Sequence, residues 1–369
     1  MKIGDVHLGF CTNIYTGGDW EQIRGQCLEH IPIVKAGVSP DAELGFGLWL
    51  PAHAVAGMAA DADSFKQALK DRGIYIFTVN AFPYDKFHSG IVKEKVYFPD
   101  WSSARRVAYT CEMADLLAFV LPSGVAGSIS TVPVTYGKTC PSDAQKNILK
   151  TAAHFQKIES TTGRFIQLAL EPEPDCYLES IDECLAFFDD LHRMDRDLTQ
   201  RYLGVCVDTC HLAVGFESPA AGIERLAEAG INIGKIQLSS ALVYTNDAGN
   251  KPEVISNFDD GRFLHQTRIN QNGRITSYGD LPEASHKMTA GEWRIHYHVP
   301  LHYVGDGHRL GTTIASLDQH FFNTAAQVCR HFEIETYTFT LLPGQKMDID
   351  QSIIREFEFA LSAMGSMGP

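Results

Sequence analysis

Short apolar runs, several ending on an acidic or amide side chain, alternate with amphipathic segments along the chain, and this alternation constrains the fold more than any other feature. The runs cover residues 7–14, 45–50, 74–80, 165–171, 203–208, 233–238 and 332–339. Between them, segments 59–70, 142–159, 181–194 and 219–229 have helical length, and in the first of these Phe65 and Leu69 lie four apart on one face. Strand–helix–strand repetition builds a parallel sheet with crossover helices. Residues 115–121 are apolar enough to be the remaining strand, with 127–132 as its loop or its continuation. Eight strands allow closure, so the expected architecture is α/β, a (β/α)8 TIM barrel, which needs ~250 residues and tolerates insertions.

Two stretches exceed the usual connection of ~2–6 residues. Residues 81–105 follow the third strand and residues 241–313 follow the seventh. Loops after barrel strands rise from the catalytic mouth. Both are rich in aromatics, histidines and lysines, so lids over a substrate are expected within a single domain spanning 1–369. The formal net charge of −14 argues against a nucleic-acid partner. No run approaches the ~18 apolar residues of a membrane span, and the first residues lack the apolar core of a signal peptide, so a cytoplasmic protein is expected. The nine scattered cysteines read as reduced thiols. Phosphate-cradling, dinucleotide-binding and serine-elbow motifs are absent.

Chemistry concentrates at the strand ends. Glu171, Asp208, Gln237 and Glu335 each close an apolar run, and in register they point into one mouth. Clustered carboxylates repel, and a divalent cation relieves that. Each residue taken alone has a plainer reading: Glu171 and Asp208 as helix-start acids, Gln237 as a backbone partner, Glu335 in a surface ion pair. His211 lies three residues past Asp208, one helical turn above it. In RIHYHVPLH (294–302), an extended chain would put His296, His298 and His302 on one face. Metal ligands, substrate-binding groups and a solvated polar face all remain open for them. His265 is a weaker candidate of the same kind.

The runs EPEPDC, VDTCHLAVGFE, KIQLSSAL and RIHYHVPLH, with CTNIY, VNAFPY, VKEKVYFPDW and GSISTVPVTYG, resemble the ebo-cluster metabolite traffic protein E group. That group is part of the xylose-isomerase-like TIM-barrel superfamily, which also holds sugar-phosphate isomerases, epimerases and endonuclease-IV-type enzymes. The resemblance implies a metal held by a Glu, an Asp, a His and a Glu on the fifth to eighth strands. In this chain they fall on Glu171, Asp208, Gln237 and Glu335, with Gln in place of His. It likens His211 to the histidine that follows the superfamily's Asp three residues later, and His298 to the histidine in the loop after strand seven.

Together these features lead us to expect a divalent-metal-dependent (Mn, Zn or Mg) isomerase or epimerase acting on a small sugar-like or carbonyl-bearing metabolite. Glu171 and Glu335 are the expected proton carriers. His211, His296, His298, Asn80, Tyr84, His88, Lys93 and Lys95 are expected to bind substrate, the two lysines sharing a face toward an anionic group. A non-catalytic metabolite carrier is the alternative, and a phosphodiesterase fits the charge poorly.

Overall fold

Eight parallel strands surround the centre of the computed structural model: β1 (Val6–Phe10), β2 (Leu44–Trp49), β3 (Ile74–Asn80), β4 (Gly127–Thr131), β5 (Ile166–Leu170), β6 (Leu203–Asp208), β7 (Asn232–Leu238) and β8 (His331–Ile334). The structure describes residues 1–85, 87–88, 90–247 and 254–365; the other positions fall in the two insertions read from the sequence and at the C-terminus. The ladder runs β1-β8-β7-β6-β5-β4-β3-β2, with a short N-terminal strand added antiparallel outside β1. Its ends meet through a single bridge from Cys11 to Gly47. That approach needs glycine, because a Cβ on Gly9 would lie 2.7 Å from the Gly45 carbonyl oxygen.

Inside the barrel Lys235 pairs with Glu333, and its Nζ also donates to Ser130 Oγ at 3.2 Å. Both partners are fully buried. Gly47 makes the room, since a Cβ there would sit 1.4 Å from Glu333 Oε1. Burial is the largest single influence and opposes the Lys235 charge, but the attraction and hydrogen bond of Glu333, joined by Cys206 and Cys11, together hold the ammonium above its ordinary value.

The helices pack outside. Ile181–Met194 matches the expected range and starts with a capping box between Ser180 and Glu183. Residues 115–121 are not a strand: they close the helix Ala104–Val120, capped by Ser103, whose buried Val107, Thr110, Met113, Ala114 and Leu117 follow helical spacing. The fourth strand is instead Gly127–Thr131, whose serines reach barrel partners: Ser130 takes Lys235, and Ser128 takes His331 and Thr78. The last strand is also shorter than expected, ending at Ile334. Among the described residues no helix is long and apolar enough to cross a membrane.

The insertion after β7 carries a second, antiparallel sheet in the order Arg274–Tyr278, Thr267–Gln271, Gly291–Val299, Ser240–Asn246, Leu310–Thr312. Only Ser239 separates β7 from the strand Ser240–Asn246, so this sheet grows directly from the barrel mouth. Leu242, Ile269, Trp293 and Ile295 join its face to the main core.

Removing one member of a buried ion pair strands the other, at a cost of about 3–5 kcal/mol. Lys235→Met should therefore destabilise the protein by about that much in urea unfolding, and Lys235→Met/Glu333→Met should recover most of the loss. A double variant no more stable than the single would show that the stranded carboxylate is not the cause.

Candidate functional site

β6 ends on Asp208, and the chain turns at once into the helix Thr209–Val214. Asp208 Oδ1 caps that helix, accepting from the backbone of Cys210 at 2.8 Å and His211 at 3.0 Å, and it also takes the Ser239 hydroxyl at 2.7 Å. The cap reading was thus right for one oxygen. The other, Oδ2, is buried with no hydrogen-bond partner. Burial alone would push this carboxyl up, but His211, His298 and the hydrogen bond from Ser239 hold it below its ordinary value.

The first helical turn sets His211 over the strand end, and the strand Gly291–Val299 brings two more imidazoles from the insertion. Its register against Ser240–Asn246 slips between Ile295 and His298. Such a bulge re-aims side chains, and here it turns His296 and His298 to the same point. All three Nδ1 atoms face oxygens that only accept: His211 the Pro172 carbonyl at 3.0 Å, His296 the Gln266 amide oxygen at 2.7 Å, His298 the Glu335 carbonyl at 3.1 Å. Each Nδ1 therefore carries the proton, and each Nε2 presents a lone pair. The His296 Nε2 lies 3.0 Å from that of His211 and 3.2 Å from that of His298. Lone pairs at that separation repel unless something electrophilic sits between them. Ligand nitrogens at ~2.0–2.1 Å from one zinc-sized cation stand roughly 2.9–3.4 Å apart, so the spacing fits. Burial keeps these imidazoles neutral, with His211 lowered to about 4 and His298 and His296 also lowered.

Glu171, after β5, adds a buried carboxylate whose Oε1 is 3.8 Å from His211 Nδ1 and whose Oε2 lacks a partner. Donor atoms converge within 4.8 Å in three sets: His211/His296/His298, Asp208/Cys210/His298 and Glu171/Asp208/His211. The donor set is rich in imidazole, with acidic oxygens left uncommitted, and it fits a divalent ion such as Zn or Mn better than Mg.

Two of the four expected ligands stand apart. Gln237 folds back inside the barrel, where its Oε1 accepts from Cys206 Sγ at 2.9 Å. Glu335 does line the cavity, but Asn13 at 2.7 Å and Asn80 at 3.2 Å draw its Oε1 toward β1 and β3, and it joins none of the three sets. Burial, then Asp208 and Glu333, push the Glu335 carboxyl well above the usual range.

Above these groups lies a narrow cleft, partly open to solvent, whose empty space counted out into the solvent is about 490 Å³. The two insertions meet over it: Val92 and Lys93 N–H both donate to the Arg262 carbonyl at 2.9 Å, and the Phe87 and Phe263 rings pack at a tilt with centroids 4.9 Å apart. Lys93 lines the cavity but pairs with Asp280 at 2.5 Å. Lys95 is exposed and does not share its face, because the segment Lys93–Tyr97 is a 3-10 helix, in which residues two apart point about 240° apart. Tyr84 turns from the cavity to pack on Tyr109, and His88 reaches the Asn13 carbonyl beside Trp49. His302 is also outside, bonded to Ser352 at 2.9 Å, whereas His265 holds the backbone carbonyl of His296 at 2.9 Å.

Three contributors escape a reading of the sequence. Asn13 anchors Glu335, and Gln266 orients His296. Glu173 lines the cavity, takes the Tyr97 hydroxyl at 2.8 Å, and is raised to about 8 by burial. Glu173 left a trace two residues past Glu171 in EPEPDC, and Asn13 one in CTNIY.

A family model described as xylose isomerase-like TIM barrel matches residues 42–267, more than half of the chain. Among solved structures, the IOLI protein with a binding zinc atom superposes with a TM-score of 0.52 at 9% identity, covering 98% of this chain and 99% of that one. D-allulose 3-epimerase from Methylomonas sp., in complex with D-allulose, gives 0.50 at 12% identity, covering 97% of each. No curated protein matches the chain.

The imidazole geometry is testable without any ligand. Histidine 15N NMR on metal-free protein should find His296 in the Nδ1–H form, and Gln266→Leu, which removes the acceptor, should move it to Nε2–H. An unchanged tautomer in the variant would mean that Gln266 does not set it.

Proposed function

The chain belongs to the xylose isomerase-like TIM barrel family, and from that premise we propose that it is a divalent-metal-dependent isomerase or epimerase of a small carbonyl-bearing metabolite. The observation that carries this is the convergence of three proton-free Nε2 atoms beside the unpartnered oxygens of Asp208 and Glu171. In this proposal His211, His296, His298, Asp208 and Glu171 hold the ion, with imidazoles taking the place expected for Gln237. When bound, the ion would polarise a substrate carbonyl and lower the barrier to losing the neighbouring proton. Glu171 and Glu335 stand on β5 and β8 with two strands between them, so they face a bound molecule from different sides. One takes the proton and the other returns it, while Asn13 and Asn80 fix the Glu335 carboxylate in place. The two insertions cover the reacting end but leave the cavity partly open, so the proton carriers can still exchange with solvent. The fold shared with a zinc-binding protein and with an epimerase agrees with this reading.

The narrower resemblance to the metabolite traffic protein E group supports a second reading, a carrier that binds the same metabolite without converting it. A net charge of −14, with Lys93 as the one cation on the described lining and already paired, counts against a phosphodiesterase.

Elemental analysis after reloading should find about one divalent ion per chain, and His298→Ala should weaken its retention by about 10–100-fold or more, on the scale of lost metal-site contacts. Wild-type protein should exchange solvent deuterium into a bound α-hydroxy ketone, and Glu335→Gln should abolish exchange with little effect on folding. Tight binding with no exchange would decide for the carrier; no bound ion under any loading would end the metal reading.

A further inference from the structure

The floor and the roof of the cavity are chemically unlike. The barrel mouth supplies His211, the carboxylates and two asparagines, and the inserted strand Gly291–Val299 reaches down to add His296 and His298. The insertions supply Phe82, Phe87, Val92, Val96, Phe263 and Leu264. Three rings meet there: Phe87 and Phe263 lie 4.9 Å apart, and Tyr337 lies 5.1 and 5.2 Å from them. We propose that the site takes a molecule with two unlike ends, an α-hydroxy carbonyl toward the floor and a flat apolar body, such as an aromatic ring, against the roof. The first end rests on the metal-enzyme reading; the second rests on the roof alone.

A sugar carries a hydroxyl on nearly every carbon. Against this roof those hydroxyls would lose water and gain no partner, which penalises a fully hydroxylated chain. An aromatic body loses nothing there and gains ring contacts. A phosphate is disfavoured as well. Lys93, the one cation among the described lining residues, is committed to Asp280 at 2.5 Å, and the groups beneath are acidic. The expectation that Lys93 and Lys95 await an anionic substrate is therefore replaced: the former is paired and the latter faces away.

Titration calorimetry on manganese-loaded protein tests this with four probes that share the α-hydroxy carbonyl end and differ at the other: 2-hydroxyacetophenone, dihydroxyacetone, D-fructose and dihydroxyacetone phosphate. The hydroxyacetophenone should bind at least about ten-fold more tightly than the other three, a factor that needs only about 1.4 kcal/mol. Val96→Ser and Phe87→Leu, both conservative enough to check for intact folding by circular dichroism, should each weaken it several-fold and leave dihydroxyacetone within about two-fold. D-fructose or the phosphate ranking first, no binding of hydroxyacetophenone, or an affinity indifferent to both variants overturns the proposal. The two readings fail separately. Protein that retains no ion yet still prefers hydroxyacetophenone loses the metal reading and keeps the roof; protein that retains the ion and prefers D-fructose does the reverse.

Discussion

One oxygen of Asp208 ties three pieces of chain to one point. It ends β6, caps the helix that follows, and accepts the hydroxyl of Ser239, the residue that leads from β7 into the second sheet. Thr209 strengthens the knot, donating to the Ser239 carbonyl at 2.7 Å and accepting the Ser239 amide at 2.9 Å. The position of His211 follows from the cap, and the departure of the inserted sheet follows from Ser239. Because the capping uses Oδ1 alone, the same side chain keeps Oδ2 buried and without a partner. Under the proposed metal role, structural and chemical duties would fall to two atoms of one carboxylate, so a helix cap and a metal ligand are not exclusive readings.

The parts legible in the sequence are those that local pattern determines. β3 and β6 and the helix Ile181–Met194 lie where the patterns put them, because an apolar run of strand length or an amphipathic stretch with a serine cap needs no distant partner to be recognised. β4 was missed because Gly127–Thr131 is poor in apolar side chains: its serines are inside the barrel for Lys235 and His331, contacts made across more than a hundred residues for Lys235. The helix beside it borrowed the strand's place by being more hydrophobic.

The site divides in the same way. Glu171, Asp208 and His211 belong to the barrel and were visible at strand ends. His296 and His298 were visible too, as candidates on one face of an extended run, but His302 and His265 stood beside them as candidates of the same kind, and the ring contacts that separate them leave no mark in composition. Gln237 occupies the expected position but bonds to Cys206, and Asn13 and Gln266 are identified only by what they touch.

Two of the three converging imidazoles ride on the inserted sheet, and this fixes what the cap can do. Swinging that sheet outward would carry His296 and His298 off the floor and take the pocket apart. It is therefore a fixed wall and not a hinged door. The seam that can part lies on the opposite side, where the segment bearing Val92 and Lys93 is fastened to Arg262 by two backbone hydrogen bonds and to Asp280 by one ion pair. Parting that seam would leave every group that would do chemistry where it stands.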